Sequence, residues 1–178
     1  MKKSALVAIG GLASALCVLL MFMTGLIPFS TYVFPGMAGI VLIAVATEIG
    51  GATAFLVFLA TSLLSLFIVP DRESVLLFIM LLGYYPMIKP KLERLPKPFV
   101  FLVKGILFNV VIVAFYYATI YLLGIPDLLS DWGSLGKYTS YVALGLANYT
   151  FFMYDFLLSR VLLLYIHWFR PRILKKLS

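Results

Sequence analysis

The sequence predicts an all-α, polytopic integral membrane protein of about six transmembrane helices, with a cytoplasmic N-terminus and C-terminus, folded as a single transmembrane helical domain over residues 1–178. Three observations predict it. Hydrophobic residues make up 63% of the chain and charged residues 12%, with a mean hydropathy of +1.10; a soluble globule carries about a quarter charged residues, so too little polar surface exists here to coat a water-facing fold. A span needs about 20 apolar residues, and apolar runs of that order recur along the chain between Pro, Gly and charged punctuation. Cationic residues, finally, gather on alternate connections.

The elements follow from the punctuation. Ser4 to Leu26 forms the first helix, closed by Pro28. Met1-Lys2-Lys3 before an apolar run resembles the start of a signal peptide, but the run is longer than a signal h-region and ends without a clear small-residue cleavage site, so it reads as a retained helix. Phe29 to Phe34 is an aromatic loop, and Pro35 suits the first turn of the next helix. Gly36 to Val69 is apolar except for Glu48. As one helix it would be about 51 Å long, well beyond the roughly 30 Å hydrocarbon core. The chain therefore turns at Glu48-Ile49-Gly50-Gly51, giving a short second helix near 35–48 and a third near 52–69. Pro70-Asp71-Arg72-Glu73 makes a polar turn, and Ser74 is the expected cap of a fourth helix running to about Ile88. Phe99 to Leu123 is the fifth, closed by Gly124 and Pro126, and Tyr138 to Trp168 the long sixth after a loop reaching Lys137.

Charge orients the bundle, because cytoplasmic flanks collect Lys and Arg. With the N-terminus inside, Lys2, Lys3, Lys89, Lys91, Arg94, Lys97, Lys104, Arg170, Arg172, Lys175 and Lys176 lie on the cytoplasmic side, against Arg72 and Lys137 outside. The net charge of +7 is mostly this bias and not a nucleic-acid footprint; the tail RPRILKKLS is expected to rest on anionic lipid headgroups. The stretch LLGYYPMIKPKLERLPK, residues 81–97, then reads as a topological anchor. Gly83 and Pro86 weaken the helix end, Tyr84 and Tyr85 suit the headgroup boundary, and Lys89, Lys91, Arg94 and Lys97 hold the link inside. Pro90 is expected to start a short interfacial helix with Lys89 and Glu93 as an i, i+4 pair.

Few residues offer chemistry. The lone cysteine, Cys17, lies in the first apolar run, which excludes an internal disulfide and a cysteine metal cluster. Glu48, Asn109, Asn148, Asp155, Arg160 and His167 are the polar candidates. The sequence contains no HExxH, no paired DxxxD, no GxSxG and no phosphate-binding glycine loop, so neither enzyme activity, metal nor cofactor is expected. His167 beside Trp168 suits an interfacial anchor. Tyr141, Asn148 and Asp155 are spaced by seven and share one face of the sixth helix. That face lines a solute cavity or makes interhelical hydrogen bonds; Asn148 fits either role, whereas Asp155 and Arg160 fit the second, with Arg160 snorkelling inward. Arg160 lies about 140° from Asp155 around the helix, an unfavourable angle for a direct pair.

At the outer ends stand Phe29, Tyr32, Phe34, Tyr116, Tyr117, Tyr121, Trp132, Tyr138, Tyr141 and Tyr149. An interfacial aromatic belt accounts for more than half of them, but IPFSTYVFP also offers Ser30, Thr31 and Tyr32 hydroxyls between apolar anchors. An aromatic cavity with a few polar groups is the usual form of a small-molecule site. The solute-binding candidates are therefore Ser30, Thr31, Tyr32, Tyr117, Tyr121, Tyr141, Asn148 and Tyr149. On the first helix, Ser4-x-x-x-Ala8, Gly10-x-x-x-Ser14 and Gly11-x-x-x-Ala15 permit close approach of another helix, from within the protein or from a partner.

Across essentially all 178 residues the chain resembles the substrate-binding S component of an energy-coupling factor (ECF) transporter: six short-looped spans, cytoplasmic termini, small residues at the inner end of the first helix, an aromatic and hydroxyl-bearing first outer loop, and a long sixth helix. The resemblance is architectural, and it implies a multi-pass protein of a bacterial plasma membrane that captures a vitamin or related small micronutrient at the outer face. It also implies a transmembrane coupling subunit and two ATPase subunits as partners, with docking through Ala8, Gly11 and Ala15. The Ala-x-x-x-Ala docking motif of the family appears only in looser Gly, Ser and Ala forms, and the patterns of the thiamin, riboflavin, biotin and folate binders are absent. The main alternative is a six-span scaffolding protein resembling the rod-shape-determining membrane subunits, which needs no outer pocket. A lipid-modifying enzyme is disfavoured by the missing catalytic clusters.

Overall fold

The computed structural model describes residues 3–27, 30–124 and 138–169. Its α-helices are α1 (Lys3–Met23), α2 (Val33–Glu48), α3 (Gly51–Ile68), α4 (Arg72–Leu77), α5 (Tyr85–Leu92), α6 (Lys97–Leu123) and α7 (Thr139–Leu164), and the described residues contain no strand. A π-helical segment, Phe78–Leu82, joins α4 to α5, so that Arg72–Leu92 is one apolar rod of 21 residues. A second, Tyr165–Phe169, extends α7. Five helical rods are long and apolar enough to cross a membrane, and α2, with 16 residues, is the short sixth. The architecture is the all-α polytopic one the composition demands. Pro28, Phe29, the loop carrying Trp132 and Lys137, and the basic tail from Arg170 lie outside the described residues.

α2 is the hub, packing against α1, α3, the α4–α5 rod and α7. One apolar core lies on its α1–α3 side, built on Cys17, Met21, Leu42, Val57, Phe58 and Phe78. A second lies beneath α5, α6 and α7, around Tyr85, Phe108, Phe115, Phe151 and Leu158. Cys17 is the small core residue its position predicts; it is fully buried, and its thiol donates to the Ala38 carbonyl at 3.6 Å.

The corner between α2 and α3 falls where the 34-residue apolar run had to turn. Gly50 holds φ at +120°, a conformation that costs glycine little and any residue with a Cβ much more. Gly39 answers a different need. A Cβ there would collide with the Leu82 carbonyl, lie 2.8 Å from the Tyr154 hydroxyl and come within 3.0 Å of Pro86. Three elements therefore approach α2 at this one position, and the missing side chain sets how closely they pack.

Several boundaries differ from expectation: α1 ends at Met23, before Leu26, where the chain goes over into hydrogen-bonded turns, and α2 begins at Val33, inside the expected loop. Asp71, not Ser74, caps α4: its carboxylate accepts from the Ser74 N–H at 3.1 Å, which starts the helix about a turn earlier. The Ser74 hydroxyl instead shares a 3.0 Å hydrogen bond with Thr24 and ties the end of α1 to α4. The fourth span runs to Leu92, past Ile88, because Pro86 lies in the first turn of α5, where its missing N–H removes no helical bond. Pro90 accordingly lies inside α5 and starts no interfacial helix.

Gly39→Ala is expected to lower stability by about 1–3 kcal/mol through overpacking. Gly51→Ala, where a Cβ meets open space, should change it by less than about 1 kcal/mol. Thermal unfolding of the detergent-solubilised protein distinguishes the two, and equal melting temperatures would show that Gly39 is not a packing constraint.

Candidate functional site

A cavity of about 560 Å³ lies between α2, the α4–α5 rod, α6 and α7. Its wall comes from the first half of α2 (Val33, Gly36, Met37, Ile40), from Leu77 at the end of α4 and Leu81 and Leu82 of the π-helical segment, from Phe108, Ile112 and Phe115 on α6, and from the middle of α7. These positions occupy the N-terminal half of α2 and the middle of the other three rods. No lining side chain is charged, and only Tyr32, Thr150 and Tyr154 bring hydroxyls. Val33, Met37, Met153 and Leu157 line the cavity yet remain exposed. Thr150 on α7 and Tyr32, the residue before α2, are exposed as well, so the mouth lies along α2 and α7 and reaches the N-terminal end of α2.

Tyr154 is held by the absence of side chains on α2. A Cβ on Gly36 would lie 3.2 Å from its ring, and one on Gly39 would lie 2.8 Å from its hydroxyl. The hydroxyl makes only a long 3.4 Å hydrogen bond to the Gly36 carbonyl. Thr150, by contrast, donates to the Leu146 carbonyl at 2.9 Å, and Tyr32 to the Glu73 carboxylate at 2.8 Å.

Of the eight solute-binding candidates, Tyr32 alone lines this cavity. Ser30 is buried, with its hydroxyl turned to the Ile27 and Thr24 carbonyls, and Thr31 is half-buried beside it. Tyr117 and Tyr121 stack on each other at 6.2 Å on the exposed face of α6. Tyr141 and Tyr149 are exposed on α7. Asn148 and Asn109 exchange reciprocal amide hydrogen bonds of 3.0 Å between α7 and α6, which realises the interhelical role. On α1 the small residues divide. Gly10 faces Val57 and Thr53, and Ser14 is buried with it, whereas Ala8, Gly11 and Ala15 are exposed, with nothing within 4 Å of where a Gly11 side chain would project.

On the far side of the cavity wall lies a constellation the charge count concealed. Asp155 of α7 accepts hydrogen bonds from the Tyr85 hydroxyl and from the Lys89 ammonium of α5, which also reaches the Asp155 carbonyl at 2.7 Å. Lys104 of α6 meets the same carboxylate at 2.8 and 3.0 Å. Glu93 closes the network with Lys89 at 3.0 Å and Lys104 at 3.1 Å. Two cations thus meet two anions, as a low-dielectric bundle requires. The Lys89 and Lys104 side chains are 1% and 6% exposed, so these lysines point into the bundle and are not headgroup anchors. Asp155 has the interhelical role expected of it. Arg160 is exposed, with its guanidinium 5.0 Å above the Phe156 ring.

Tyr85 joins the two sites: it is fully buried, its ring lies 5.1 Å from Phe151 and 6.5 Å from Tyr154, both cavity residues, and its hydroxyl meets Asp155. The sequence did carry a signal for this arrangement. Tyr85, Lys89 and Glu93 are four apart and therefore share a helix face, and an intramembrane aspartate calls for a cation on a neighbouring helix.

Comparison with known proteins returns no match: no family model matches the chain, and no curated protein or solved structure does.

Asp155→Asn leaves two buried ammonium groups with one partly exposed carboxylate and should cost about 3–5 kcal/mol. Glu93→Gln removes the exposed member and should cost no more than about 1 kcal/mol. Unfolding in detergent measures both, and a reversed order would mean that Asp155 is not the centre of the network. A double-mutant cycle on Asn109→Leu and Asn148→Leu should return a coupling of about 0.6–2 kcal/mol; zero coupling would remove the amide pair from the helix contact.

Proposed function

We propose that the protein is the substrate-binding membrane subunit of an ECF-type transporter, capturing a vitamin or related small micronutrient for ATP-driven uptake. The observation that carries this reading is the 560 Å³ cavity, which falls within the 300–1,000 Å³ range of small-molecule sites and lies towards the face that the charge bias places outside. A scaffolding protein needs no such space. Under this reading the chain itself catalyses nothing, and ATP hydrolysis belongs to two partner ATPases acting through a transmembrane coupling subunit.

The bare stripe of Ala8, Gly11 and Ala15 supports the same reading, because small exposed residues let a partner helix approach closely. It lies near the N-terminal, inner end of α1, away from the cavity mouth between α2 and α7. Solute capture and partner docking thus use different surfaces, as a subunit that binds on one side and is driven from the other requires.

Affinity purification from the native membrane should bring down a transmembrane coupling subunit and two ATPases; recovery of cell-wall machinery in their place would replace this reading with the scaffolding one. Gly11→Leu, at a position with open space, should abolish that complex and leave the solitary protein folded. An intact complex would move the docking surface elsewhere on the bundle.

A further inference from the structure

The chemistry of the cavity narrows what it accepts. Fifteen of its eighteen lining residues carry no polar side-chain group, none is charged, and the Lys89, Lys104, Asp155 and Glu93 side chains are spent on one another behind the wall. A strongly hydrated solute entering here would give up water hydrogen bonds without replacement, at about 1–3 kcal/mol for each group left unsatisfied. A hydrocarbon body loses nothing by the same transfer. The mouth points the same way: Val33 and Met37 on α2 and Met153 and Leu157 on α7 line the cavity and are exposed on the surface of the bundle, where a membrane presents hydrocarbon to apolar side chains.

The hydroxyls fix one more feature. Tyr32 and Thr150 already donate within 3 Å to Glu73 and the Leu146 carbonyl. Tyr154 has only the 3.4 Å contact to the Gly36 carbonyl, and Gly36 and Gly39 hold its ring in place. It is the lining hydroxyl with donor capacity to spare, positioned on a rigid seat.

We infer that the cavity takes an uncharged, mainly hydrocarbon molecule bearing an oxygen acceptor, admitted sideways between α2 and α7, with the Tyr154 hydroxyl as the donor that orients it. The inference rests on the cavity being the solute site of the proposed transporter subunit and specifies the class of that solute. Bilayer acyl chains are the competing occupant, and they differ in a measurable respect: they fill a groove in proportion to their concentration, whereas a site saturates.

The test uses the full chain in lipid nanodiscs and three photoreactive probes: hexadecanol with a mid-chain diazirine, the matching hydrocarbon without the hydroxyl, and a diazirine-bearing glucose. Labelled peptides are mapped by mass spectrometry. The alcohol should label the α2 and α7 segments around Met37 and Met153 saturably, and the sugar should not label them at the same concentration. Tyr154→Phe should raise the alcohol's half-saturation about three- to tenfold while leaving that of the hydrocarbon unchanged. Met153→Trp, at the exposed mouth, should reduce labelling by both lipophilic probes at least about tenfold; it also serves as the test if Tyr154→Phe does not fold. Labelling linear in probe would assign the groove to bulk lipid, saturable labelling by the sugar would overturn the solute class, and equal loss of both lipophilic probes in Tyr154→Phe would remove the hydrogen bond. Saturable alcohol labelling without a coupling subunit in the purified complex would instead sink the transporter reading alone.

Discussion

Charge neutralisation inside an apolar bundle is the constraint on which the second half of the fold depends. Asp155 on α7 cannot remain ionised among Phe151, Phe152 and Leu158 without cations, and α5 and α6 each deliver one lysine to it. Three rods are thereby fixed at a common point, which adds to the stacked Phe108–Phe151 and Phe101–Phe152 rings between α6 and α7. Tyr85 carries that fixed point to the cavity, since one side chain touches both Asp155 and the rings of Phe151 and Tyr154. The network positions a wall; it does not touch the space the wall encloses.

The other half of the fold relies on small residues. Gly39 and Gly36 let the α4–α5 rod and Tyr154 come close to α2, while Gly50 supplies the turn that sends the chain back as α3. The π-helical segment Phe78–Leu82 lies between these close contacts, with Leu81 and Leu82 in the cavity wall. Such segments often mark functional sites. Here it coincides with the place where a continuous span must bend its register to present leucines to the cavity and Tyr85 and Lys89 to Asp155.

What the sequence could reveal follows from the kind of signal each feature leaves. Spans and corners are written in local runs, so the turn at Gly50 and the end of α6 at Gly124 fall where expected. Side-chain direction is not local. Lys89 and Lys104 flank apolar segments, the pattern of a cytoplasmic anchor, and their inward turn depends on Asp155 of a neighbouring helix. The cavity was hidden for the same reason, its wall being ordinary Leu, Ile, Phe and Met from four separate segments. Of the eight solute-binding candidates Tyr32 alone borders the space, and Tyr117, Tyr121, Tyr141 and Tyr149 lie on outward faces. Tyr154 carried no distinguishing mark because its role depends on glycines more than a hundred positions away.

If the bundle holds a solute site, native mass spectrometry of the gently extracted protein should detect a single small neutral molecule retained at one per chain. A protein that flies without any adduct, or only with a statistical distribution of bilayer phospholipids, would contradict it.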